Sequence, residues 1–230
     1  MIVIALGGYA LSGKDTFVII AKMILDRNKY RAIRVAFADK LKDEVRGMLH
    51  DNRFDLDVRH LTPEEKERVR PLFVFWGMQR RYESEGGRYW VNIVNEQLED
   101  IAFEYKQAGE STEKVVILIS DTRFPNESGW IHESCGGYVI HLRRYKKVLE
   151  GIGVSTPDYE QVKSYSHEYD SAPNDEELKQ DPLVIAQADH RVEWENKGFK
   201  SNIEASQDPE FHEIVLKALN ALPVFSGKLI

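Results

Sequence analysis

GGYALSGKDT, residues 7–16, is the stretch on which the fold of this chain turns. It lies one position away from the phosphate-binding pattern G-x-x-x-x-G-K-[ST]: Gly8, Gly13 and Lys14 are in register, and Asp15 stands where a hydroxyl is expected. In such a loop the glycines let backbone N–H groups converge on phosphate oxygens. The N-terminus of the following helix adds partial positive charge, and the lysine neutralises the outer phosphates. The flanks give the match its weight. Residues 2–6 (IVIAL) form a short apolar run, as in a strand buried on both faces of a parallel sheet. From Asp15 onward, Phe17, Ile20, Ala21 and Ile24 fall at helical spacing. Strand, glycine loop and helix follow in the order the motif requires.

The same alternation continues outward. Residues 32–38 (AIRVAFA) read as a second strand, with Asp39 placed to cap the helix KLKDEVRGML. TPEE at 62–65 is a capping box with proline at the first helical position, and Pro71 is expected to break that helix, leaving RPLFVFWGMQRR as a separate piece. Trp90, Val94, Leu98, Ile101 and Tyr105 mark an amphipathic helix. Its apolar face has two uses, burial in the core or a homodimer contact, and core burial is the expected one. VVILIS (115–120) is the strongest strand and runs straight into Asp121; YVIHL (138–142) is another, followed by Arg143, Arg144, Lys146 and Lys147. Residues 145–182, with Gly151, Gly153, Pro157, Pro173 and Pro182, read as a polar, turn-rich, mobile excursion. HRVEWE (190–195) is expected at a sheet edge. Asp208-Pro209 opens a last helix with Phe211, Ile214, Val215, Ala218, Leu219 and Leu222 on one face. The whole predicts a single α/β domain over 1–230, a mostly parallel central sheet with helices on both faces. Ligands of such sheets bind at the carboxyl ends of the strands, and two of those ends are Gly7-Gly8 and Asp121.

Composition narrows the function. The 230 residues, 42% hydrophobic and 30% charged, suffice for one α/β domain with a sizeable core. The net charge of -7 argues against a protein that coats nucleic acid. Cys135 is the lone cysteine, which excludes an intrachain disulfide and a cysteine-based zinc site. With no window near the roughly 20 apolar residues of a membrane span and no signal-peptide pattern, a cytoplasmic protein is expected, without membrane or nucleic-acid partners.

The remaining chemistry is charge neutralisation. Asp121, at the tip of an apolar strand beside the loop, sits where P-loop NTPases place an acidic residue in the Mg2+ shell; a helix cap is its plainer use. Arg80, Arg81, Arg123, Arg143 and Arg144 form a scattered cationic set, as phosphoryl transfer demands, with Arg123 and Arg143 favoured because they follow strand ends. His141 alternates within a strand as a core residue. His167 is either a lid contact or polar surface, and Phe73, Phe75 and Trp76 are expected to pack rather than to stack on a base.

On these residues the chain resembles the deoxynucleoside monophosphate kinases of bacteriophages, a branch of the P-loop nucleoside monophosphate kinases related to animal phosphomevalonate kinase. SGKDT (12–16), whose aspartate is usual in that branch, and ISDTRFPNE (119–127) carry most of the likeness. AFADKLK (36–42), the Gly-x-x-x-Arg segment 77–81 followed by YWVN (89–92), and ADHRVEWENKG (188–198) extend it along nearly the whole chain. The resemblance implies a three-layer kinase fold with an acceptor-binding region over about 39–105 and a lid over about 143–182. It also implies ATP and Mg2+ as cofactors, a deoxynucleoside monophosphate (dNMP) as partner substrate, and a host cytoplasm as location. By position, Gly8, Ser12, Gly13, Lys14, Asp15 and Thr16 would hold the ATP phosphates, and Asp15 and Asp121 the metal. Asp39, Lys42, Arg80, Arg81, Trp90 and Arg123 would face the acceptor. Lys14, Arg123, Arg143 and Arg144 would serve the transfer itself. SHEYDSA keeps His167 but not the family's His-x-Ser-Glu spacing. A kinase for another small phosphorylated acceptor such as phosphomevalonate, and an ATP-binding sensor without turnover, are the competing expectations.

Overall fold

The computed structural model describes residues 1–54, 56–155, 160–169 and 175–230. Its centre is a sheet of five parallel strands, to which a sixth, antiparallel strand is added. Strand β1 (Ile2–Gly7) pairs on one side with β3 (Val115–Thr122), which in turn pairs with β2 (Arg31–Val35). On its other side β1 pairs with β4 (Tyr138–Ser155) through residues 138–141, and β6 (His190–Glu195) takes the far edge of β4 at 140–145. The parallel order is therefore β2-β3-β1-β4-β6.

The strand sequences explain why both faces are covered. Ile4 and Leu6 point to one side of β1, Val3 and Ala5 to the other, and every one is buried. Ile4, Leu6, Val116, Leu118, Ile140, Leu142 and Trp194 pack against helix α1 (Lys14–Arg27) and the last helix of the chain (Pro209–Ala221). Val3, Ala5, Ile117, Ile119 and Val139 pack against three helices: α2 (Phe37–Asp51) through Phe37, α4 (Tyr89–Gln107) through Trp90, Val91, Val94 and Leu98, and α5 (Pro125–Glu133) through Trp130 and Ile131. This is the three-layer α/β architecture expected from the alternating pattern. The amphipathic face of α4 is spent on the core.

Three local expectations change. Helix α3 (Pro63–Tyr82) opens with the Thr62/Glu65 capping box but runs on through Pro71. Proline deprives the Glu67 carbonyl of its donor; Pro71 is exposed, so water can satisfy that carbonyl and the helix persists. Asp39 is not a cap: α2 begins at Phe37, and Asp39 lies in its first turn, 2.6 Å from Arg34. The polar segment after 145 is ordered secondary structure where it is described. Strand β4 continues to Ser155, carrying Gly151 and Gly153 within it, and β5 (Glu160–Tyr169) returns antiparallel from Tyr145↔Tyr169 outward. Helix α6 (Asp175–Ala186) then runs through Pro182. Pro157, Pro173 and the end of SHEYDSA lie outside the described residues. Tyr145 pairs with both Tyr169 and Glu195, so β5 and β6 occupy opposite edges of β4. Strand β5 thus takes the edge that β1 vacates at Gly7, and the hairpin rises beside the phosphate loop.

After β6, a short helix α7 (Asn202–Ala205) leads into α8, the helix of residues Pro209–Ala221 already met in the core. Asp208 caps α8 by accepting from the Glu210 and Phe211 amides. No helix among the described residues is long and apolar enough to cross a membrane.

Candidate active site

The parallel strands deliver Gly7, Val35, Thr122 and Arg143 to one edge of the sheet, and the candidate site is assembled there. The chain leaves β1 in conformations that only certain residues tolerate. Gly8 has φ 122° and Gly13 φ 94°. A side chain at Gly8 would strike the Leu142 carbonyl, and one at Gly13 the indole of Trp194. Trp194, 2% exposed at the end of β6, donates from Nε1 to the Ser12 carbonyl at 2.8 Å. Glycine here is the condition for the loop to be braced from behind by an aromatic ring.

The loop closes on its own lysine. Lys14 Nζ donates to Gly8 O at 2.7 Å, Tyr9 O at 2.6 Å and Ser12 Oγ at 3.3 Å. Burial lowers its pKa to about 8, with the Arg123 guanidinium pressing the same way and Glu177, Asp121 and Asp15 opposing. The first-turn N–H groups of α1 have no intrahelical acceptor, the arrangement that lets a helix N-terminus hold an anion.

Lys14 makes stability rise with alkali in a defined window. The native group releases its proton near pH 8 and the unfolded one near 10.5, so between these values the unfolded chain holds the extra proton and unfolding becomes harder as pH rises. Urea unfolding from pH 7.5 to 9.5 should show the parent gaining ~2 kcal/mol relative to Lys14→Met. Parallel pH profiles for the two proteins would contradict a lysine buried in this way.

Beyond the loop lies a cavity of about 420 Å3 between α2, α3, α5 and α6, of ordinary size for a small-molecule site. Its walls are largely apolar, with Leu41, Val58, Leu61, Phe73, Val74, Met78, Trp90 and Phe124. Its cationic side chains include Lys42, Arg81 and Arg123. Glu127, 1% exposed at the start of α5, organises the inner end: it accepts from the Arg123 amide at 2.8 Å, the Phe124 amide at 3.1 Å and the Arg81 guanidinium. Arg81 lies over the Phe124 ring at 3.7 Å, and its buried Nη1 has no hydrogen-bond partner among the described residues. Arg123 also lines a small cleft with Gly8, Tyr9, Glu177 and Asp181, so it spans from the loop to the cavity.

Other expected residues are placed differently. Arg80 is turned away from the cavity: it bonds Glu44 at 3.0 Å and stacks on Trp76 and Tyr89. Asp39 is likewise absent from the cavity wall. The Thr16 hydroxyl is buried and donates to Asn202 Oδ1 at 3.2 Å, so it is directed at α7 rather than into the loop. Asp121 takes its plainer use: both carboxylate oxygens accept from the first amides of α2, Phe37 at 2.9 Å and Ala38 at 2.7 Å. Burial raises its pKa against the pull of those amide bonds. Asp15 is exposed in the first turn of α1 and makes no hydrogen bond or ion pair among the described residues. Arg143 and Arg144 alternate to opposite faces of β4, and Arg143 stacks on Tyr169 at 4.3 Å. His167 is exposed and stacks on Tyr145 at 4.0 Å. His141 is buried and bonds Asp181 at 2.7 Å. The aromatic trio divides: Phe73 lines the cavity, Trp76 donates to Glu44 at 2.8 Å, and Phe75 is exposed.

Sequence reading missed Glu127, Glu177 and Trp194. Glu127 was within reach, because a glutamate three residues after the start of a Pro-led helix reaches back to its first amides. Glu177 and Trp194 act on the loop from more than 160 residues away, where no local signal exists.

The donor set fits a hard dication. Mg2+ keeps several waters and takes one or two carboxylates plus substrate phosphates, so the exposed Asp15 carboxylate beside the loop suits such an ion, whereas both Asp121 oxygens are already claimed by the Phe37 and Ala38 amides. Among the described residues no three His, Cys, Asp or Glu side chains form a ready-made metal cage.

No protein-family model matches the chain, and no curated protein sequence matches it. A solved structure, shikimate kinase from Aquifex aeolicus vf5, aligns at 13% identity and a TM-score of 0.36, covering 98% of this chain and 99% of that one.

Proposed function

We propose that this protein is an ATP- and Mg2+-dependent kinase that transfers the γ-phosphoryl group to a deoxynucleoside 5′-monophosphate, giving ADP and the diphosphate. The observation that carries it is Arg123, which lines both the loop cleft and the cavity. A donor phosphate on the loop and an acceptor phosphate at the inner end of the cavity would meet at that side chain. The apolar, partly aromatic cavity favours a flat base over a small acyclic acceptor, and Arg81, which lines that cavity, would be the ligand for the acceptor phosphate.

The acceptor is an anion at neutral pH, so the site needs no general base. Lys14 and the loop amides bind the donor phosphates, Arg123 bridges the two anions, and Arg81 fixes the acceptor in line. Asp15 would hold Mg2+, which supplies further neutralisation of phosphate charge when bound. The β4–β5 hairpin would serve as the lid that excludes water. A coupled ADP assay with dTMP, dGMP, dCMP, dAMP and phosphomevalonate tests this function. ADP formed with at least one dNMP and not with phosphomevalonate is the expected result. ADP formed with phosphomevalonate alone would change the acceptor, and tight ATP binding without ADP would make the protein a sensor.

Asp15→Ala should raise the Mg2+ concentration for half-maximal turnover about tenfold, roughly the loss of one charged ligand interaction, with little change in thermal midpoint because the residue is exposed. An unchanged Mg2+ titration would remove Asp15 from the metal site.

A further inference from the structure

Glu177 is a buried acid that phosphoryl transfer does not require. It sits in the first turn of α6 and is 7% exposed. Its Oε2 accepts from the Ala10 amide of the phosphate loop at 2.9 Å, and its Oε1 meets the Arg123 guanidinium. A backbone amide of an anion-binding loop and an arginine at its mouth are the two kinds of donor that a phosphate group takes. Lys14 meanwhile spends its protons on the carbonyls of its own loop. Lys14, Arg123 and the Ala10 amide are thus satisfied by the chain itself. Spacing explains how a helix delivers the carboxylate: Glu177, Asp181 and Val184 share one face of α6. Asp181 is pinned by buried His141, and Val184 is 1% exposed in the core. The C-terminal part of α6 is anchored, and its first turn holds the loop through Glu177.

We propose that Glu177 is an internal stand-in for a phosphate group: it occupies the Ala10 amide and Arg123 while the site is empty and is displaced by the incoming phosphate chain, so the first turn of α6 and the nucleotide compete for the same donors. The proposal rests on the loop binding phosphate. It adds that the binding-competent state is a minor one until Glu177 leaves, so apparent affinity is reduced by that population.

The probe is inorganic tripolyphosphate, which needs no base site. Calorimetry with the full chain should give a Kd about tenfold lower for Glu177→Gln and Glu177→Ala than for the parent. Glu176→Gln, which removes a neighbouring charge in the same turn, should change Kd less than twofold. In the unaltered protein, tripolyphosphate should speed hydrogen exchange in residues 175–183, a readout that does not depend on any variant folding. An unchanged or weakened affinity in folded Glu177 variants, an equal gain in Glu176→Gln, or slower exchange in α6 on binding would each overturn the competition. No tripolyphosphate binding to any of the proteins would overturn the phosphate loop along with it. Binding and competition as described, with no ADP formed from any dNMP, would leave this inference standing and reject the dNMP kinase.

Discussion

Lys14→Met is expected to lower kcat with ATP and the best dNMP by about 10²- to 10³-fold, the usual cost of deleting one preorganised donor to developing charge. The amine is held within the loop by bonds to Gly8 O and Tyr9 O. Methionine retains nearly the same length and apolar stem, so the packing beneath the loop survives, and the lost quantity is charge. The substitution also frees the Gly8 and Tyr9 carbonyls from a buried partner, which can disturb loop geometry. ATP binding measured separately distinguishes the two effects: a lost transition-state contact lowers kcat with Kd raised less than tenfold, whereas a disordered loop abolishes binding. Turnover near the parent rate would show that the loop is not the donor site.

Arg123→Met should be at least as damaging in kcat/KM for the monophosphate, about 10³-fold, with both a raised KM and a lowered kcat. A group that touches both phosphates contributes to acceptor binding in the ground state and to charge spreading during transfer, and its loss is felt in both constants. Arg80→Met is the matched comparison. Arg80 is adjacent in sequence to Arg81 yet bonded to Glu44 outside the cavity wall, so its replacement should change kcat/KM less than threefold. Equal losses for the two arginines would mean that the cavity is not the acceptor site.

The contrast between Arg80 and Arg81 shows how far the sequence could be read. Strand β1, its loop and α1 were legible because each is written locally: an apolar run, glycines at turning points, and a 3.6-residue period. The same holds for β3, α4 and α8, whose buried faces leave a regular imprint on the residues that form them. Which of two successive arginines faces a cavity depends on how α3 is rotated against α2, and that rotation is set by Leu41, Trp76 and their neighbours in space. The outer part of the β4–β5 hairpin was illegible for a different reason. It projects beyond the central sheet, so no shared core imposes alternation, and glycines at 151 and 153 read as turns where they in fact lie in a strand. Asp121 was located correctly at the strand tip, but the first amides of α2 claim its carboxylate, a use that only the placement of Phe37 and Ala38 reveals. Glu177 could have been singled out only as an acid spaced by four and seven from Asp181 and Val184, and that pattern is too common to point at the loop.

The indole of Trp194 behind Gly13 ties the order of assembly to the order of synthesis. The donor to the Ser12 carbonyl lies 182 residues downstream of its acceptor. During translation at 5–20 residues per second, that separation is a wait of ~10–40 s in which residues 7–16 exist without their brace. A nascent chain should therefore acquire affinity for ATP late and in one step, when β6 docks against β4, rather than gradually as the N-terminal strand and helix emerge.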